Sequence, residues 1–381
     1  MNILHTSDWH LGKRLMDRDR LPEQKKVLDE IVRICEERDV SLILVAGDVF
    51  DAYMPSAESE ELFFSAMKQL AGENRAVVAI SGNHDDGIRL SSSAPIAEEH
   101  GIYLFGGEKR TFSLNSHRKV RAVEAGECYL VIENERGERV YINAFPYPNE
   151  ARLKEEKSDL SYAEKIAHWI ERGEIGYHGD IPHILLSHLF VAGGKTSESE
   201  RDIDLGGARV VPLSVLPDYG YVALGHLHKP QKLRHARYSG SILQYSFDEA
   251  ADKRVLLLRS EGTEITVAEE IPLQSGKRLV RLECNGVEEA LAILPDYPDC
   301  FVELTLHLKQ PLSTQETVSL RAANEGLVSL VTRVEGGTNV IIERRSALSS
   351  GQLFTEYYKS VYGDEPKDAL KEAFLRLLEE E

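Results

Sequence analysis

The chain has 381 residues, 42% hydrophobic and 28% charged, the balance of an ordinary globular protein with room for two or three domains. A formal net charge of −18 argues against a surface that coats nucleic acid indiscriminately, although divalent cations bound in a cleft reverse the sign locally. Four scattered cysteines without a C-x-x-C pair argue against a zinc knuckle or a disulfide frame. No run approaches the ~20 apolar residues of a membrane span, and the start lacks a signal-peptide pattern, so a cytoplasmic location is expected.

In chain order, Asn2–Thr6 reads as a short buried strand, 41–46 as a second and the wholly apolar Ala76–Ile80 as a third. Between the first two lies a helix with Leu28, Ile31 and Cys35 on one face. A second helix carries Leu62, Ala66 and Leu70 on a stripe, with Phe63 and Met67 beside it. This βαβαβ order predicts a mainly parallel sheet covered by helices. Short alternating runs follow to about residue 145, then a polar helix near 161–172. Strands are expected at 182–187, 221–224, 254–259 and 263–267. A second unit, 272–345, reads strand, helix, strand, helix, strand, which is a small two-layer α/β module. Its second helix opens on the capping box Ser313-Thr-Gln-Glu316. The last segment, 346–381, offers two amphipathic helices, one with Leu353, Phe354, Tyr357 and Val361, the other with Leu370, Phe374 and Leu377. The expected domains are therefore 1–271, 272–345 and 346–381, with short linkers at 274–277 and 335–338.

Five apolar runs end in residues that can bind a metal: Asp8-Trp9-His10, Gly47-Asp48, Gly82-Asn83-His84-Asp85, His188 and Gly225-His226-Leu227-His228. Sites in open α/β sheets lie beyond the carboxyl ends of strands, and all five occupy that position. Together they supply mixed oxygen and nitrogen donors for a two-metal site, the kind that cleaves phosphate esters. A carboxylate has about four lone-pair sites, so Asp48 can bridge two ions. Asn83 offers a neutral amide oxygen, and the imidazoles bind in their neutral form. His5 and His183 lie in strands and read as core residues or supports of the site. The remaining histidines read as structural or solvated.

These five stretches resemble the signature of the calcineurin-like metallophosphoesterases. The opening Ile-Leu-His-Thr-Ser-Asp-Trp-His-Leu-Gly, with Tyr238-Ser-Gly-Ser241 and Ser246-Phe-Asp-Glu249, narrows the resemblance to the SbcD branch, the bacterial double-strand-break repair nucleases. It covers nearly the whole chain. It implies a β-sandwich core flanked by helices, with a small two-layer α/β capping, DNA-binding domain and a helical, partner-binding tail. Asp8, His10, Asp48 and His228 would hold one divalent ion, and Asp48, Asn83, His188 and His226 another, manganese being the best match to these ligands. His84 would face the scissile phosphate, with Asp85 either orienting it or finishing its loop. Asp51, where relatives often have histidine, receives no catalytic role. The implied activities are a 3′–5′ double-strand exonuclease and a single-strand or hairpin endonuclease. The implied partners are DNA ends, a coiled-coil ATPase of the SbcC type that binds the tail, and a second copy of the chain within a heterotetramer near the nucleoid. Lys13, Arg14, Arg18 and Arg20 either grip phosphates beside the cleft or form a solvated basic loop. Two rival readings share many of these features: a phosphoesterase acting on a nucleotide or phosphoprotein, and a DNA-bridging scaffold with a vestigial site.

Overall fold

The computed structural model describes residues 1–107, 112–114, 117–148, 159–200, 209–218, 220–249 and 252–334, with a few positions between 354 and 374. Two compact units emerge, one comprising 1–15 and 19–279 and the other 16–18 and 280–381.

In the first unit β1 (Asn2–Thr6), β2 (Leu42–Ala46), β3 (Ala76–Ile80) and β4 (Ile102–Phe105) run parallel, each next to its predecessor. Helices α1 (Leu21–Glu37) and α2 (Ala57–Ala71) cover the outer face of this sheet. On α1 the expected residues Leu28, Ile31 and Cys35 are buried. On α2 the buried stripe is rotated from the expected one: Phe63, Ala66, Met67 and Leu70 are buried, while Leu62 is only partly covered. Complete burial of a side chain such as Phe63 contributes about 1.5–3 kcal/mol, and it draws the helix round.

A second sheet takes β5 (Arg121–Ala125), β6 (Tyr129–Glu133), β7 (Arg139–Phe145), β8 (His183–His188), β9 (Tyr221–Gly225), β10 (Gln231–Leu233) and β11 (Ala236–Tyr238), in the order β10-β11-β9-β8-β7-β6-β5. β7, β8 and β9 are mutually parallel. The polar helix expected near 161–172 is Tyr162–Arg172, started by a complete capping box at Ser161 and Glu164. The chain then returns to the first sheet, where β12 (Arg254–Glu261) pairs antiparallel with β1 and β13 (Glu264–Pro272) with β12. The inner faces of the two sheets share one apolar layer, including Leu42, Leu44 and Val78 from the first and Ile132, Ile142 and Leu186 from the second. The core is therefore a β-sandwich with helices on the first sheet's outer face and against the second, as the resemblance implies.

The second unit holds a three-stranded sheet, β14 (Arg278–Cys284), β15 (Cys300–Leu308) and β16 (Leu327–Val334), the last two parallel. Val302, Leu304 and Leu306 pack with Ala290 and Leu320 from the two helices Val287–Ile293 and Thr314–Ala323. The Ser313 capping box is complete. The linker 335–338 and most of the tail 346–381 lie outside the described residues; within the tail, Phe354 and Phe374 stack with ring centroids 4.2 Å apart. None of the four cysteines forms a disulfide. Among the described residues no helix is long and apolar enough to cross a membrane.

Candidate metal centre

β1, β2 and β3 of one sheet and β8 and β9 of the other end at the same rim of the sandwich. Asp8 and His10 follow β1, Asp48 follows β2, Asn83 and His84 follow β3, His188 closes β8, and His226 and His228 follow β9. The turns are tight. Asp8, His10, Asp48 and His226 all have left-handed backbones, with φ of 52°, 45°, 48° and 102°. Such conformations cost free energy in non-glycine residues and gather at functional sites. The loops brace one another: Asp8 N–H donates to Gly47 O at 3.0 Å and His10 N–H to Asp48 O at 3.0 Å. Gly47, at φ +83°, has no room for a side chain, since a Cβ there would lie 2.7 Å from His188 Cγ.

Five of the seven expected ligands and His84 fall into three overlapping sets whose donor atoms lie within 4.8 Å of one another: Asp8, His10 and His228; His10, Asp48 and His84; Asp8, Asp48 and His188. Asn83 and His226 join them directly. Asn83 Oδ1 lies 2.9 Å from His188 Nε2 and 3.0 Å from His226 Nδ1. Asp48 Oδ2 stands 3.5 Å from His10 Nε2 and 3.4 Å from His188 Nε2.

The donor chemistry fits cations. His10 Nε2 and His228 Nε2 are 2.9 Å apart, a spacing at which two imidazoles can share at most one proton. The far nitrogens are engaged elsewhere: His188 Nδ1 donates to Ala46 O at 2.8 Å, and His228 Nδ1 lies 2.6 Å from Ser199 Oγ. Metal-ligating histidines are held in this way, which fixes the tautomer and leaves the near nitrogen as an acceptor. His226 Nε2 is buried with no hydrogen-bond partner among the described residues.

Burial pushes His10 down to about 3, so it stays neutral, and it also lowers His226. Burial opposes charge on His188 as well, but Asp48 and Asp8 overcome it and raise His188 to about 9. The Asp8 carboxyl is pushed up by burial, against the pull of His188, His228 and Ser7. Asp48 is also desolvated, yet His188, His84 and His10 outweigh that and hold it well below the usual carboxylate range.

His84 is set by a partner that sequence reasoning passed over: its Nδ1 donates to the Asp51 carbonyl at 2.7 Å. The Asp51 carboxylate meanwhile reaches His10 Nδ1 at 3.4 Å and Lys13 Nζ at 2.8 Å. Asp85 accepts from the backbone N–H groups of Gly82, Val49 and Phe50 at 2.8, 3.1 and 2.9 Å. It therefore finishes the loop, while the Asp51 carbonyl orients the imidazole.

The basic cluster needs a correction. Arg20 is fully buried, paired through Nε and Nη2 with Glu23 at 2.8 Å each and donating to Gln244 O. An arginine committed inside the fold cannot grip DNA. Lys13 sits beside the centre in its pair with Asp51, Arg14 is exposed, and Arg18 donates to Glu325 O at 2.9 Å within the second unit. His5 is a buried strand residue 3.1 Å from the Tyr221 hydroxyl, as expected. Sequence reasoning also missed Gln24, whose amide donates to His10 O at 2.7 Å while its oxygen accepts from Gly12 N–H at 3.0 Å. Nothing in the local pattern of α1 marks Gln24.

A family model described as calcineurin-like phosphoesterase matches residues 1–230. The chain is similar to the SbcD component of the nuclease SbcCD from Bacillus subtilis (strain 168), with 36% identity over 397 residues spanning 99% of this chain and 97% of that protein. Among solved structures it is similar to GAP50, the anchor in the inner membrane complex of Plasmodium. That match has 12% identity and a TM-score of 0.39, over 72% of this chain and 88% of that one.

Proposed function

Because the chain belongs to the calcineurin-like phosphoesterase family, and within it to the SbcD nuclease subunits, we propose that it hydrolyses DNA phosphodiesters within an SbcCD-type DNA-end processing complex. The observation that carries this reading is the convergence of Asp8, His10, Asp48, Asn83, His188, His226 and His228 on one rim, with no member of the set missing. A vestigial scaffold would have no reason to keep the whole set.

In this reading Asp8, His10, Asp48 and His228 hold one divalent cation and Asp48, Asn83, His188 and His226 a second, with Asp48 shared. Manganese suits the mixture of carboxylate, amide and imidazole. When bound, the ion pair activates water at neutral pH and stabilises charge on the phosphoryl oxygens. His84 is the catalytic side chain. Nδ1 is tied to the Asp51 carbonyl, and the imidazole would hydrogen-bond the phosphate and assist the departing oxygen.

The activities proposed are 3′–5′ exonuclease action on duplex ends and endonuclease action on single strands and hairpins. The second unit would contribute to DNA binding, and 346–381 would dock on an SbcC-type coiled-coil ATPase in the cytoplasm. A homodimer within the larger assembly belongs to the same reading.

The test is a manganese-dependent assay on linear and hairpin DNA, with and without the ATPase, beside a small nucleotide phosphodiester. Cleavage of both DNAs, enhanced by the ATPase, is expected. Turnover of the nucleotide alone would favour the phosphoesterase rival. Removing 346–381 should abolish co-purification with the ATPase and leave metal binding intact.

A further inference from the structure

Two motifs remain without a role in the donor set, Tyr238-Ser-Gly-Ser241 and Ser246-Phe-Asp-Glu249, yet both fold against His228. Glu249 is buried. Its Oε1 accepts from Ser199 Oγ at 2.5 Å and from Tyr245 N–H at 3.2 Å, and lies 3.3 Å from His228 Nδ1. Its Oε2 pairs with Lys253 Nζ, and Ser241 Oγ lies 3.3 Å from it. Lys253 is also buried, and it donates to the His228 carbonyl at 2.9 Å and to Ser241 Oγ at 2.8 Å. Ser199 Oγ stands 2.6 Å from His228 Nδ1. The hydroxyl can therefore accept from the imidazole while donating to Glu249. On the other side, Glu200 accepts from His228 N–H at 2.9 Å.

A buried carboxylate–lysine pair is a poor source of stability, because desolvation of both ions offsets their attraction. This one is built around a single residue. Its members reach the ring nitrogen and the carbonyl of His228, and Glu200 takes its N–H.

We propose that Glu249 is the positioning residue of His228: with Ser199 it holds the imidazole as the Nδ1–H tautomer, so that Nε2 faces the centre as an acceptor. Lys253 anchors the opposite oxygen of Glu249. The segment 197–200 thereby becomes part of the support of the centre. The inference rests on reading the centre as a cation site and is independent of the substrate.

The test is Mn2+ titration of the full chain by electron paramagnetic resonance, with the 15N resonances of His228 recorded on ion-free protein. The variants are Glu249→Gln, Ser199→Ala and the double Glu249→Gln/Lys253→Met, which removes both buried charges together. Outer-sphere partners of metal ligands typically account for roughly 10–100-fold in affinity. Glu249→Gln and the double variant should weaken one of two Mn2+ ions by about that factor and leave the other unchanged. Ser199→Ala should weaken the same ion less. In Glu249→Gln the His228 resonances should move from one tautomer toward a mixture. Folded variants that bind both ions as the wild type does, or lose both equally, overturn the proposal. Should Glu249→Gln fail to fold, Ser199→Ala, at a half-buried position, decides between the same outcomes. A wild-type chain that binds no Mn2+ would overturn the cation reading itself, a result distinct from failure in the variants alone.

Discussion

Replacing Gly82 by alanine adds one methyl group where the loop after β3 presses against Asp48. A Cβ at this position would stand 2.7 Å from Asp48 Cγ, with the carboxylate oxygen and the backbone nitrogen of Asp48 closer still. Ordinary contact begins at 3.4 Å, so the Asp48 side chain must retreat by at least about 0.7 Å if the loop holds. Metal–ligand distances tolerate only about ±0.2 Å. Asp48 is the donor assigned to both ions, so both should weaken together, by on the order of 100-fold or more. The cost to the fold should be ordinary overpacking, about 1–3 kcal/mol. Gly137, in the hairpin between β6 and β7, is the matched control: a Cβ there meets nothing within 4 Å, but its φ is +74°. Gly137→Ala should cost about 1–2 kcal/mol in backbone strain and leave the ions in place. Mn2+ titration by electron paramagnetic resonance, with thermal unfolding in chelator, separates the two effects. Tight binding of two ions by Gly82→Ala, or equal loss in Gly137→Ala, would refute the reasoning.

Three further outcomes are expected. His84→Ala should keep the wild-type metal content and lose roughly 10²–10⁴-fold in cleavage rate; single-turnover cleavage beside metal analysis checks both. In ion-free protein, His188 is raised to about 9. Its charged pair with Asp48 therefore stabilises the fold fully below the ordinary histidine value, and that stability is lost as pH rises through about 9. Cation binding must expel this proton, so Mn2+ affinity should rise about tenfold per pH unit from 7 and flatten beyond 9; pH-dependent calorimetry in buffers of different ionisation heat measures the released proton. Arg20→Ala should destabilise the fold by about 3 kcal/mol or more, because it strands the largely buried Glu23. In salt titrations its DNA-binding slope should match the wild type, whereas a Lys13→Ser/Arg14→Ser variant should show a shallower one.

The rim was legible because each motif sits where a parallel strand must end. An apolar run followed by Gly-Asp or Gly-Asn-His needs no long-range knowledge to read as a loop that carries donors. β14 to β16 were equally plain, since strands and helices alternate there at short range. What stayed hidden depends on contacts remote in sequence. The second sheet pairs β7 with β8 and β8 with β9 across long connections, and alternating short runs do not reveal such partners. Arg20 read as a surface cation because arginine is usually exposed; its burial depends on Gln244, 224 positions away. Asp51 acts partly through its carbonyl, which no side-chain pattern can announce. Ser199 and Glu249 reach His228 across 29 and 21 positions. Only the motif Ser246-Phe-Asp-Glu249 hinted at a role there.

The central claim, two cations sharing Asp48, is tested most directly by anomalous diffraction at the manganese edge from crystals grown with saturating Mn2+. The account predicts two peaks, one ringed by Asp8, His10, Asp48 and His228 and the other by Asp48, Asn83, His188 and His226. A single peak, or two peaks of which neither touches Asp48, would contradict it.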